Sequence, residues 1–347
     1  MLERYVIILK WSRRVFVRIS DTGPPPARMA APSTTLQRVV EAIFTFPPVF
    51  NAAAKAARSK IMQRGRDMGV WDDRFDDLDL DDAFWRSAVL EATTSGVRTP
   101  DYYRAPFHAY PQGNLSLDAA LEVTNAARSV HATVFNEVGS AESLDPNGDE
   151  RLRSSFSEKV KGALEKLDIA LPKKPRILDI GAATGLSSVA LLEAFPGARV
   201  LGVDLSPYFV AVGRYLNNEL IESGLLTLEH GAAEELAFVD DESLDMASMC
   251  LVCHELPQDA TRAIFSEAYR KLKKGSVLCI MEMDPTTPAF QRVLSNAVPY
   301  VVFKSTEPYL LDYVALDMEG ELRAAGFADV VSTNNSPRHK TVVAVKK

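Results

Sequence analysis

Arg176-Ile177-Leu178-Asp179-Ile180-Gly181-Ala182-Ala183-Thr184-Gly185-Leu186-Ser187 is followed by Val200-Leu201-Gly202-Val203-Asp204, whose acid lies nineteen residues after Gly185. An apolar run enters a small-residue turn, a helical stretch follows, and a second apolar run ends on a carboxylate. This order predicts a βαβ unit that holds a nucleoside, with free helix N–H groups facing the ligand and the strand-end acid accepting from ribose hydroxyls. Gly181 and Gly185 let the chain leave the strand tightly, and the small Ala182, Ala183 and Thr184 keep the approach open. A dinucleotide fingerprint needs glycine at 183 and 186, where Ala183 and Leu186 stand, so a nicotinamide or flavin dehydrogenase fits poorly. Capping of the helix after Ser206-Pro207 is the competing, purely structural role for Asp204.

Outward from this unit, short apolar runs alternate with helical segments, as in parallel α/β sheets. The candidate strands are Ile177–Ile180, Arg199–Val203, Leu226–Glu229, Leu244–Val252, Val277–Met281, Ala328–Ser332 and Thr341–Val345. Upstream the pattern is helical, with Leu36, Val40, Ile43 and Phe44 at helical spacing and a second run from Leu117 through Leu121, Thr124, Ala127 and Val130 to Phe135. The acid-rich stretch from Trp71 to Asp82 reads as the solvated face of a short helix rather than a metal site. A loop at Asp145-Pro146-Asn147-Gly148-Asp149 precedes an amphipathic helix ending near Leu167. Three segments are expected: a basic, proline-rich leader over residues 1–34, a helical cap over 35–150, and an α/β domain over 151–347.

The chain has 347 residues, 47% of them hydrophobic, and a net charge of -7. The length suits about two domains with a substantial core. An acidic chain argues against nucleic acid as the main partner, because phosphate neutralisation needs clustered Lys and Arg. Residues 1–20 run against that balance, with Arg4, Lys10, Arg13, Arg14 and Arg18 against Glu3. The apolar run Tyr5–Leu9 is too short to span a bilayer. The three cysteines all follow position 249 and do not form a secreted disulfide framework, so a reducing, cytoplasmic setting is expected. The alternative is a plastid or mitochondrion, if the basic leader is a transit peptide.

Further motifs follow in order: His230-Gly231-Ala232-Ala233-Glu234-Glu235-Leu236-Ala237-Phe238, the run Leu244-Asp245-Met246-Ala247-Ser248-Met249-Cys250-Leu251-Val252-Cys253-His254-Glu255-Leu256-Pro257, and Leu272-Lys273-Lys274-Gly275-Ser276. With the opening stretch they resemble the class I S-adenosylmethionine-dependent methyltransferases over about residues 155–347. The resemblance implies a seven-stranded Rossmann-like, doubly wound sheet with antiparallel C-terminal strands, here beside an N-terminal helical cap. It implies S-adenosyl-L-methionine as cofactor, with Gly181, Ala182 and Gly185 flanking its methionine end and Asp179 helping to hold its amine. Asp204 would take the ribose, Leu205 would pack on the adenine, and Ala233 with Glu234 would edge it. Ala232 stands where the family often has an acid for the adenine amino group, so that bond falls to Glu234, a backbone group or water.

The implied activity is methyl transfer to a small organic molecule, largely by positioning, which can be worth about 7–11 kcal/mol for aligned reactants. The absence of an Asn-Pro-Pro-Tyr string counts against the branch that methylates nucleic-acid or glutamine amino groups. A non-catalytic protein that keeps the nucleoside pocket is the alternative. His254 and Glu255, just past the fourth strand, are the candidate base or orienting residues, with Glu282 and Asp284 as comparable candidates. Cys250-Leu251-Val252-Cys253-His254 matches the haem attachment string, yet it ends an apolar strand, and no second ligand pair supports zinc, so no metal is expected. The aromatic segment from Tyr102 to Tyr110, which includes His108, can roof the site or form interdomain core. His131 falls on the following helix, His230 is expected at the surface, and His339 in the last hairpin turn.

Overall fold

The computed structural model describes residues 47–73, 83–106, 110–137 and 143–347. The leader, the run from Leu36 to Phe44, most of the acidic stretch after Trp71, and His108 lie outside the described residues. Seven strands form one sheet: β1 (Arg176–Ile180), β2 (Arg199–Asp204), β3 (Leu226–His230), β4 (Leu244–Cys250), β5 (Leu272–Met283), β6 (Phe327–Asn334) and β7 (His339–Lys346). Their order is β3-β2-β1-β4-β5-β7-β6. The first five are parallel, and β7 runs antiparallel to both β5 and β6. The doubly wound sheet with its antiparallel C-terminal hairpin is therefore the fold expected from the sequence.

The strands form where they do because alternate residues serve two cores. Ile177, Val200, Met246, Val277 and Val343 bury into one, while Leu178, Ile180, Ala247, Ile280 and Val342 bury into the other. Full burial of each larger side chain is worth about 1.5–3 kcal/mol, so a one-residue register slip would forfeit many such contributions at once. Every strand starts or ends at a residue other than the sequence reading gave, and two of these differences have a visible cause. β4 stops at Cys250 because Leu251 turns with φ 60 and gives its N–H to Met281 O at 2.8 Å. β5 starts five residues early, pairing Leu272 with Leu244 across an irregularity that contains Gly275 at φ 80.

Helices α1 (Pro47–Asp67), α2 (Ala83–Ala92), α3 (Leu117–His131) and α4 (Gly148–Lys166) precede the sheet. Within it come α5 (Leu186–Ala194), α6 (Pro207–Leu216), α7 (Asn218–Glu222), α8 (Gln258–Lys271), α9 (Pro288–Ser295), α10 (Ala297–Thr306), α11 (Leu310–Val314) and α12 (Met318–Ala324). α4 and α5 cover one face through Leu152, Phe156 and Leu191, and α8 and α12 cover the other through Ile264, Phe265 and Leu322. Residue 150, where the sequence placed a boundary, falls in the first turn of α4.

Of the upstream helices, α2 and α3 lie directly on α6. Trp85 of α2 is buried with its ring 5.0 Å from Phe84 and 5.3 Å from Tyr215, and it shares a cluster with Leu121, Phe209 and Val212. α3 begins at Ser116, whose hydroxyl accepts the Ala119 N–H at 3.3 Å. Its Thr124 meets Thr184 of the glycine turn, hydroxyl to hydroxyl at 2.8 Å. Among the described residues no helix is long and apolar enough to cross a membrane.

Candidate functional site

In a doubly wound sheet a crevice opens where the strand order reverses, here between β1 and β4. A cavity of about 930 Å³ lies there, walled by the strand-end residues Ile180, Asp204, Cys250 and Met283. α3 supplies Val123, Ala126 and Val130 to its wall, and the segments after β5 supply Phe290 and Phe303.

Asp204 ends β2 and is buried. Its Oδ2 accepts the Ala183 N–H at 2.8 Å, and its Oδ1 accepts the Ser206 N–H at 2.8 Å and the Tyr103 hydroxyl at 3.3 Å. Burial raises its pKa to about 6, against the opposing pull of those donors. The cap of α6 is Ser206, whose Oγ accepts the Phe209 N–H, so Asp204 is not spent on that helix. Asp204 instead fixes the glycine turn to the β2 exit.

The turn itself needs glycine at 181. With φ 68, Gly181 would place a Cβ 2.6 Å from Val252 Cγ2. Ala183 also takes a positive φ, 47, which aims its N–H at Asp204. Asp179 is fully buried one turn below: its Oδ2 accepts both Ser187 and Ser188 hydroxyls at 2.7 Å, while its Oδ1 has no hydrogen-bond partner among the described residues. Burial pushes its carboxyl up to about 6, against the two serines and nearby Arg153.

The structure brings Gly181, Asp204, Leu205, Ala233, Glu234, His254 and Glu255 onto one cavity wall. Asp179, Ala182 and Gly185 support that wall from behind it. Glu234 receives the hydroxyl of Tyr102.

Also on the cavity lining, His254 sits in a short 3-10 helix, Cys253–Glu255. Its Nδ1 meets both oxygens of Glu282, at 2.9 and 3.0 Å, and its backbone N–H reaches Glu282 Oε2 at 3.2 Å. Burial opposes a charge on this imidazole, but the Glu282 carboxylate, helped by Glu307 and Glu255, outweighs it and raises the pKa to about 10. Glu255 accepts from Asn114 Nδ2 at 3.3 Å. His254, Glu255 and Glu307 each bring one potential ligand atom within 4.8 Å of the others. Neither Glu282 nor Asp284 lines the cavity: Glu282 lies behind His254, and Asp284, in the loop that leaves β5, accepts from Thr286 and from Asn334 at the end of β6.

The histidines sort differently from the sequence reading. His230 is buried rather than at the surface, because it ends β3 beneath the α2 exit, where its Nδ1 accepts the Thr94 N–H at 3.0 Å. His339 opens β7 rather than lying in the turn before it. It is buried on the cavity wall with Nδ1 2.8 Å from Ser336 Oγ. Burial, with His131, His254 and Arg338 nearby, lowers its pKa to about 3. His131 and Arg153 share Asp149 at 2.6 and 2.9 Å, and Arg153 also reaches Cys250 Sγ at 3.4 Å. Cys253 is wholly buried in the second core, so thioether attachment of a haem would require opening that core.

Asn114, Arg153 and Glu307 line the site with no signal in the sequence. Asn114 sits in a loop before α3, and its carbonyl accepts from Ser206 Oγ at 2.6 Å across 92 positions. A long-range pairing of that kind has no local pattern.

A family model described as a methyltransferase domain matches residues 177–275. A ubiquinone/menaquinone biosynthesis C-methyltransferase from Geobacter sp. (strain M21) is 30% identical over 125 residues, 35% of this chain and 52% of that protein. A demethylmenaquinone methyltransferase from Clavibacter sepedonicus is 32% identical over 176 residues, 46% of this chain and 68% of that protein. A 2-methyl-6-phytyl-1,4-hydroquinone methyltransferase from Oryza sativa subsp. japonica, described as chloroplastic, is 28% identical over 176 residues, 51% of this chain and 45% of that protein. The chain spans 52% to 64% of the length of the first three relatives it matches.

Proposed function

The chain belongs to the class I S-adenosylmethionine-dependent methyltransferases, and from that premise we propose that it methylates a small organic acceptor held beside the cofactor in the cavity at the β1/β4 reversal. The observation that carries this reading is a mainly apolar cavity at the strand ends into which a few polar groups, Asp204, Glu234, His254 and Glu255, converge. Its volume of about 930 Å³ lies at the upper end of the range for small-molecule sites, enough for two ligands side by side.

The residues fit the cofactor. Asp204 is a buried acceptor at the strand end where a ribose would be held, and Asp179 Oδ1, behind the cavity lining, is a buried acceptor without a hydrogen-bond partner among the described residues, suited to an ammonium at the methionine end. Leu205 and Ala233 offer apolar contact to the adenine, and Glu234 edges it. When bound, the cofactor supplies an electrophilic sulfonium methyl. The chain's own task is to align an acceptor atom with it and to exclude water, which Met283, Phe290 and Phe303 do from the apolar wall. His254, oriented through Nδ1 by Glu282, presents its other ring nitrogen for a hydrogen bond to the acceptor's oxygen or nitrogen.

The relatives named for quinone and hydroquinone substrates make an aromatic, hydroxyl-bearing ring with an apolar tail the first acceptor to test. Nucleic acid does not suit a cavity walled mainly by apolar side chains. The deciding experiment incubates the protein with labelled S-adenosylmethionine and a panel of hydroquinones, phenols and amines, with calorimetry of S-adenosylhomocysteine alongside. Label transfer to one class is the expected result. If neither nucleoside binds at millimolar concentration, the reading fails. Binding without transfer to any acceptor, or to material in a cell extract, favours the non-catalytic alternative.

A further inference from the structure

The two acids at the nucleoside end are each held by a tyrosine from one short element. Tyr102 and Tyr103 lie in the 3-10 helix Asp101–Arg104, with extended backbone at Pro100 and Ala105 on either side. The Tyr102 hydroxyl donates to Glu234 Oε1, 132 positions away, and the Tyr103 hydroxyl donates to Asp204 Oδ1, 101 positions away. The Tyr102 ring stands edge-on to those of Tyr103 and Tyr309, and the Tyr309 hydroxyl donates to the Tyr102 carbonyl at 3.2 Å.

A carboxylate offers about four acceptor sites, two on each oxygen. On Asp204 Oδ2 one is used, by the Ala183 N–H; on Oδ1 both are used, by the Ser206 N–H and the Tyr103 hydroxyl. A vicinal diol that spans the carboxylate needs one site on each oxygen. Two of the three existing donors are backbone groups in the turns that define the site. The third is a side-chain hydroxyl on a short segment, and it is the donor that can leave. Glu234 repeats the arrangement, since its Oε1 already holds Tyr102.

We propose that Tyr102 and Tyr103 occupy the hydrogen-bonding positions of a ribonucleoside, so that the cofactor enters by displacing their hydroxyls and the Asp101–Arg104 turn sets its affinity. The proposal rests on the assignment of Asp204 to the ribose. It treats the two hydroxyls as competitors of the ligand, not contacts to it.

The test is calorimetry on the full chain at pH 8 with adenosine, S-adenosylhomocysteine and 2′,3′-dideoxyadenosine. Tyr103→Phe keeps the ring and removes the competing donor. It should bind adenosine and S-adenosylhomocysteine about two- to tenfold tighter than the parent, the range of one net hydrogen bond. Dideoxyadenosine, which has no diol, should bind both proteins equally. Tyr102→Phe should tighten S-adenosylhomocysteine binding in the same direction, which guards against a local packing effect in one variant. Unchanged or weaker adenosine binding by Tyr103→Phe overturns the proposal while leaving the cofactor assignment intact. Failure of the parent chain to bind S-adenosylhomocysteine at all overturns the assignment of Asp204 itself.

Discussion

Asp204 accepts two backbone N–H groups that close the glycine turn against the β2 exit, and it presents the same carboxylate to the cavity. Its removal therefore strikes binding directly. Asp204→Asn is expected to weaken S-adenosylhomocysteine binding by about tenfold to a hundredfold, the scale of a charge-assisted bond, and Glu234→Gln by less. Small, equal effects in calorimetry would take Asp204 out of the nucleoside site.

The pH dependence has a definite sign. A carboxyl raised to about 6 in the native chain binds more protons than its unfolded counterpart near 4. Ligand-free stability consequently falls as pH rises from about 4 to 6, and Asp179, also raised to about 6, contributes in the same direction. Nucleoside binding runs the other way, since the ionised form is the acceptor. S-adenosylhomocysteine affinity should climb between pH 5 and 7 and level off above; a flat profile contradicts the Asp204 role. The strand-end position of Asp204 was legible in the sequence, because apolar run, glycine turn and acid are local. Tyr103 as its partner was not, being 101 positions away.

Among the elements, the β1–α5 turn is the most constrained. Gly181 combines φ 68 with a Cβ position 2.6 Å from Val252 Cγ2. Gly181→Ala should cost about 1–3 kcal/mol in urea unfolding, through backbone strain and the clash together. Adding Val252→Ala relieves the clash but not the φ, so it should not restore the parent stability; full rescue would show that the backbone conformation costs nothing. Ser116→Ala, which removes the cap of α3, should cost about 1 kcal/mol. The seven strands were legible as short apolar runs between helical segments, since strands covered on both faces are apolar nearly throughout. Their ends were not. Where β4 stops depends on Leu251 reaching Met281 of the neighbouring strand, and where β5 starts depends on Leu272 pairing with Leu244.

For the molecule as a whole, the three free thiols report on how the two cores close. Cys253 and Cys279 are fully buried, and Cys250 faces Arg153 at the cavity. Burial pushes the Cys250 thiol up to about 12 and raises the other two as well. Ellman's reagent at pH 8 should therefore label the native chain slowly and all three thiols in denaturant. A rapid stoichiometric reaction in the native state would show that one of these cores is open.

The sequence by itself determined the strands, the glycine turn and the acid that follows it, because apolar runs, turn chemistry and strand-end position act over a few residues; the antiparallel closing hairpin came only through the family resemblance. Tertiary structure alone decided which polar groups meet. It put His230 inside, set Glu282 under His254, divided the cavity-facing acids from Asp284, and laid Tyr102 and Tyr103 on Glu234 and Asp204. Those pairings join residues 28 to 136 positions apart. Each is selected by the cost of burying a polar group without a partner, a cost that exists only once the chain has closed around it.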